Sequence, residues 1–281
     1  MDFRPVERIF TACFFLFNIF LFILIYQQTT DIQLNKDSIY DHLKEDAIDF
    51  PALNNKQLKG NYISAEKTIF DYESFNSEVL VSFSNPPVIK KNKLVSSAKI
   101  LLENKKYFEF GSEYKYFADF SNIASKDAHL DFYQVFQNVP LIDEISKLQL
   151  LPKDQAESSE IWEIGKYKQA HSKNIDTLLG QQTLISEEEA IKTLYNHMNI
   201  PEKSNILWIR LGYSRIANIH DKNIFVPTWF VKIQLYKGKT QIEKVNAINN
   251  SIITNTEIIT IEKQAEDDSH ELTTIDKINI P

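Results

Sequence analysis

The chain sets one long apolar block against a much longer stretch whose apolar positions recur at the periods of strands and short helices. The block, Ile9 to Tyr26 (IFTACFFLFNIFLFILIY), carries no charge. At 1.5 Å per residue its roughly 18 residues make about 27 Å of helix, close to the hydrocarbon core of a bilayer at about 30 Å. The pattern therefore predicts a single membrane-spanning helix over 9–26. A cleavable signal is the competing reading, but its apolar core is usually about 7–15 residues and is followed by a small-residue cleavage site. Gln27, Gln28, Thr29, Thr30 and Asp31 offer no such site, which favours a retained anchor. Arg4 and Arg8 precede the run, and the next basic residue is Lys36. The positive-inside rule then places residues 1–8 in the cytoplasm and the remainder outside the cell membrane.

Residues 27–60 read as a stalk. Within it Asp37 or Ser38 can cap a helix that carries Ile39, Leu43 and Ala47 on one face with Tyr40 beside them, and Pro51 limits its length, predicting a helix over 37–49. From Tyr62 the period changes to that of strands: Glu78–Ser84, Tyr107–Phe110 and Phe132–Val139 are β-branched and aromatic runs between turn residues. Leu94–Leu102 fits a helix through Leu94, Ala98, Leu101 and Leu102 and fits a strand through Val95 and Ile100. The polar stretch Pro152–Ser159 (PKDQAESS) is either a boundary between two halves, 61–151 and 152–263, or a long hairpin loop.

A strand follows at Ile161–Ala170, and then the clearest helix. Ser186 and Glu189 have capping-box spacing, Ala190, Ile191, Leu194 and Met198 form its apolar stripe, and Pro201 follows its end. Strands are predicted at Asn205–Ala217 and Ile224–Tyr236, joined by a polar turn through His220 and Asp221, with a last strand near Val245–Ile253. Residues 264–281 read as an acidic tail. The fold class expected is α+β: antiparallel sheets with packed helices after one N-terminal anchor. A proline interrupts both Phe132–Asp143 and Phe225–Tyr236 (Pro140, Pro227), which fits two related halves and fits equally the ordinary recurrence of prolines at edges and bulges.

Composition narrows the chemistry. The one cysteine, Cys13, lies inside the apolar run, so no intramolecular disulfide or cysteine-based metal site is available. Thirty-one basic against 38 acidic residues give a net charge of −7, which disfavours nucleic acid as a partner. The sequence has no G-x-S-x-G elbow, H-E-x-x-H pair, P-loop or glycine-rich dinucleotide turn. The residues therefore suggest no catalytic group, no cofactor and no metal site. His42, His129, His171, His197, His220 and His270 are scattered and read as surface or turn residues. Glu187, Glu188 and Glu189 read as first-turn acids at a helix dipole, and Trp162, Trp208 and Trp229 read as core or cross-strand partners.

The apolar run holds the least ordinary feature. Thr11, Phe14, Phe15, Asn18, Phe22 and Ile25 share one helical side, and Asn18 falls near mid-membrane, where an amide without a partner is costly. That face is the candidate interface with another membrane helix. The alternative is an amide satisfied by residual water or by its own backbone.

Several segments also resemble a known family. Met1-Asp2-Phe3-Arg4, Ile9-Phe10 and Phe17-Asn18-Ile19-Phe20-Leu21 open the chain, and Leu184-Ile185-Ser186, Glu189-Ala190-Ile191 and Leu194-Tyr195 follow in its far half. Leu211-Gly212-Tyr213 and Val226-Pro227-Thr228-Trp229-Phe230-Val231 complete the set. Together they resemble the YycI (WalI) family, single-pass accessory regulators of the YycG/WalK sensor histidine kinase. The resemblance implies an extracytoplasmic α+β domain, association with YycH and the kinase through membrane helices, and control of cell-wall metabolism, with self-association left open. The competing class is a membrane-anchored extracytoplasmic enzyme such as a cell-wall hydrolase, with a site assembled from distant residues.

Overall fold

The computed structural model describes residues 10, 13–23, 38–70, 81–84, 87–90, 94–121, 129–152, 161–254 and 259–261. It is α+β, with mostly antiparallel sheets and few helices. Helix α1 is seen at position 10 and over 13–23. Among the described residues no helix is long and apolar enough to cross a membrane. Residues 9, 11–12 and 24–26 of the expected anchor lie outside the described residues, as do 264–281.

Two compact units divide the chain. One contains residues 59–184 and 211–228, together with the strand at 259–261. Its larger sheet runs β3 (Val81–Ser82), β9 (Ile161–Gln169), β8 (Lys147–Pro152), β6 (Leu130–Phe136), β5 (Tyr114–Tyr116), with β4 (Val88–Lys90) also on β9 and β7 (Val139–Pro140) also on β6. Helix α3, Leu94–Glu103, covers it. Ala98, Leu101 and Leu102 are buried with Phe108, Phe132, Leu148, Leu150 and Ile164, while Ile100 is 71% exposed. The helical reading of this segment therefore prevails over the strand reading.

On either side of the stretch 152–159, β8 and β9 pair antiparallel, Leu150 opposite Tyr167, as in the hairpin alternative, and residues 153–159 themselves lie outside the described residues. Two expectations change here. Tyr107–Phe110 is not a strand. Asn104 Oδ1 accepts from the Lys106 N–H and Tyr107 N–H donates to Asn104 O, which turns the chain at the end of α3. Phe132–Val139 is broken by Gln137 and Asn138, both at positive φ (47° and 68°), the two-residue type I′ connection between β6 and β7.

A second sheet, of whose two long strands residues 211–219 and 222–228 belong to this unit, places β2 (Ile63–Lys67) between β10 (Ser172–Thr177) and β13 (Lys222–Gln234). Beyond β13 come β12 (Asn205–Ile219) and β15 (Ile259–Ile261). Ile63, Ala65, Leu141, Tyr213 and Phe225 make its core. His220 and Asp221, with φ of 49° and 68°, form the expected polar turn joining β12 to β13. Strands β1 (Lys59–Gly60) and β11 (Gln182–Thr183) form a separate pair. A Cβ at Gly60 would sit 2.9 Å from Pro227 Cγ, so the backbone passes too close there for a side chain.

The other unit contains residues up to 58, 185–210 and 229–253. Helix α2 spans Ser38–Glu45, shorter than the expected 37–49. It stops because Ala47 adopts φ 54°, with Ala47 N–H donating to Lys44 O and Ile48 N–H to Leu43 O. These are the two bonds of a Schellman end. Ile39, Leu43 and Ile48 are buried, and Ala47 is exposed.

Helix α4, Glu187–Asn196, ends the same way: Met198 has φ 60°, its N–H donates to Tyr195 O, and Asn199 N–H donates to Leu194 O. Met198 is consequently 89% exposed and leaves the stripe expected for it, while Ile200 is buried after the turn. Strand β14 runs Thr240–Asn246 rather than near Val245–Ile253. Asn246 Oδ1 accepts from Ile248 and Asn249 N–H groups and ends it.

Candidate functional site

The candidate face expected on the apolar run falls partly within α1. Phe14, Phe15, Asn18 and Phe22 lie in the helix and are exposed, whereas Thr11 and Ile25 lie outside the described residues. Asn18 Nδ2 donates to Phe14 O, four residues earlier, at 2.8 Å. Of the two explanations open for this amide, the backbone bond is therefore realised within the single chain. It uses one of the donors of the amide and lowers the cost of placing it in an apolar setting. Leu16, Phe17, Ile19 and Phe20 are exposed as well, so α1 is apolar all round.

The buried polar chemistry lies elsewhere, in the larger unit, where β9 ends and β10 begins. His171, expected at the surface, is 3% exposed and lies flat against Phe110, with ring centroids 4.1 Å apart. Its Nδ1 is 2.7 Å from Thr68 Oγ1 and its Nε2 is 3.0 Å from Glu113 Oε2. Gln134, from the buried face of β6, donates to Glu113 Oε2 (2.9 Å) and to Ser172 O (2.7 Å), and its Oε1 accepts from Ser172 N–H (2.9 Å). Ser146 and Ser172 hydroxyls meet at 2.7 Å, and Tyr114 donates to Ala170 O at 2.6 Å.

One tautomer satisfies the ring completely, with the Thr68 hydroxyl donating into Nδ1 and Nε2–H donating to Glu113. Thr68, His171 and Glu113 stand in the order of an activated-hydroxyl relay. Gln134 shares the carboxylate and Phe110 covers the ring, so the set closes on itself as a structural network. Its members lie tens of residues apart, and the one local signal was a glutamine inside the apolar run of β6.

Asp131 is a second buried polar group, 4% exposed, accepting from Gln149 Nε2 at 2.8 Å with His129 Nε2 at 3.6 Å. Burial holds its carboxyl above the usual range, against the opposing pull of the Gln149 hydrogen bond, Lys147 and His129. Burial also raises the Tyr133 phenol. The acids at the start of α4 all have structural partners. Glu189 completes the capping box with Ser186, Glu187 accepts from Asn54 N–H, and Glu188 accepts from the Tyr40 hydroxyl.

Trp208 and Trp229 are buried, Trp229 donating to Ile185 O, while the side chain of Trp162 lies outside the described residues. His42 pairs with Glu45, His197 ends α4, and His270 lies outside the described residues. Among the described residues no three His, Cys, Asp or Glu side chains are grouped to hold a metal ion.

A family model described as YycI protein matches residues 26–248. No curated protein matches the chain. A crystal structure of an uncharacterized protein from Eubacterium rectale ATCC 33656 aligns over 48% of this chain at 12% identity with a TM-score of 0.26. The chain spans 45% of the length of that protein, and the likeness is too low to bear on fold or function.

Proposed function

Because the chain belongs to the YycI family, we propose that it is a membrane-anchored accessory regulator of the sensor histidine kinase YycG/WalK. In this reading residues 9–26 span the cell membrane once, the N-terminus is cytoplasmic, and the α+β domain lies outside, where it pairs with YycH and tunes cell-wall metabolism. The observation that carries it is α1: a helix whose described residues are apolar on every side, Asn18 apart, and exposed suits lipid and neighbouring membrane helices, not water. Thr11, Phe14, Phe15, Asn18, Phe22 and Ile25 form the contact face. Regulation then consists of differential binding, because a contact moves the kinase between states only by the difference in its free energy with each.

The test is energy transfer between this anchor and the transmembrane helices of the kinase, run beside a wall-stress reporter. Asn18→Leu should weaken association by about 0.6–2 kcal/mol, the range of interhelical polar contacts, and Leu16→Ala should not. Equal signal for wild type and Asn18→Leu at equal membrane abundance would remove Asn18 from the mechanism. A cysteine at Ser269 that is labelled only after lysis would overturn the topology.

A further inference from the structure

The family match ends at Ile248, yet the chain supplies one more strand after it, β15. This strand lies parallel to β12, with Ala217, Asn218 and Ile219 opposite Ile259, Thr260 and Ile261. Within the same sheet β2 pairs antiparallel with β10 and β13. Parallel pairing is slightly weaker per residue, and only these three residue pairs register β15 on its neighbour. Earlier on β12, Leu141 bridges Tyr213, and Ile142 N–H donates to Tyr213 O at 2.9 Å. The strand thus takes neighbours in short separate pieces. A strand edge offers a row of N–H and C=O groups to any extended segment of fitting register.

We propose that the β12 edge at 217–219 is a strand-docking site, filled within one chain by its own β15 and between chains by the β15 of a second copy. The segment seen to fit this edge is the chain's own, and every copy carries both the edge and the segment. Exchange therefore leaves each edge filled and loses no strand contact, which makes it a low-cost route to a dimer. What decides between the two forms is effective concentration, about millimolar for a short connection, so exchange grows where copies are crowded. The proposal does not depend on the kinase reading.

The test uses the full chain carrying Cys13→Ser, in membranes under mild oxidation. Asn218→Cys and Thr260→Cys are placed either in the same chain or in two separately tagged chains that are coexpressed. The two tagged chains should give a disulfide-linked heterodimer about tenfold above a pair carrying Asn218→Cys and Lys237→Cys, the excess expected of a docked rather than a colliding pair. Adding Ile259→Pro and Ile261→Pro to the Thr260→Cys chain should abolish it, because proline removes the N–H donors of the strand. A crosslink confined to single chains of the double variant would overturn exchange. A heterodimer no stronger than the control pair would likewise overturn exchange, and no crosslink in either arrangement would overturn the docking site itself.

Discussion

Asn18 and His171 are both polar groups among apolar neighbours, and they are satisfied in opposite ways. Asn18 reaches a carbonyl four residues back on its own helix, while His171 draws on Thr68 and Glu113 from distant parts of the chain. The local solution asks nothing of the rest of the fold and leaves the side chain exposed for a neighbour. The distant solution exists only when two sheets have formed, and it leaves the histidine enclosed. Burial and polarity alone therefore do not mark a site of interaction; where the partners come from does.

The contrast breaks most sharply at His171. His171→Ala should cost the α+β domain about 2–4 kcal/mol, because Glu113 and Thr68 lose a shared partner and Phe110 loses its stacking surface. Denaturant unfolding would read this as a lower midpoint, and Asn18→Leu should leave that midpoint unchanged. An unaltered midpoint in His171→Ala would show the network to be dispensable.

A local defect should cost less. Ser186→Ala removes the hydroxyl that accepts from Glu189 N–H and should destabilise by about 1 kcal/mol, checked by the same unfolding curve.

Asp131 tests whether a buried charge is a burden even when bonded. Its folded-state pKa is raised, so the penalty is absent below the ordinary carboxyl value of 3.8 and grows as pH rises through the folded value. Asp131→Asn keeps an acceptor for Gln149 and should stabilise by about 0.5–1 kcal/mol at neutral pH, with the gain vanishing in acid. A gain that persisted at low pH would point to packing instead of charge.

The smallest effect is expected at Met198, whose left-handed backbone suits glycine. Met198→Gly should stabilise by about 0.5 kcal/mol, measurable as a slight rise in Tm, because its exposed side chain has little packing to lose.

What could be read from the sequence follows the same division between near and far. The capping box at Ser186 and Glu189, the turn at His220 and Asp221, and the strands β12 and β13 were legible because each is specified within a few residues. Helix ends were misjudged at Ala47 and Met198, since Schellman turns built without glycine carry no local mark. The hairpin across 152–159 was read as a boundary as readily as a loop, because only the register of Leu150 against Tyr167 distinguishes them. The candidate face on α1 was visible as periodicity. The His171 network was not, because no short window contains more than a fragment of it.

The position of β2 has a kinetic consequence. Its neighbours β10 and β13 begin at Ser172 and Lys222, whereas the strands of the larger sheet mostly pair with near neighbours in sequence. At a synthesis rate of about 5–20 residues per second, β2 waits roughly 5–20 s for its first partner and longer for its second. During that interval Ile63, Ser64 and Ala65 belong to a strand with both edges open. The larger sheet can close first, and the smaller one nucleates on a segment made long before. Loop-closure cost grows only slowly with length, but pairing at such long sequence separation is intrinsically slow, so the smaller sheet is expected to form after the larger one.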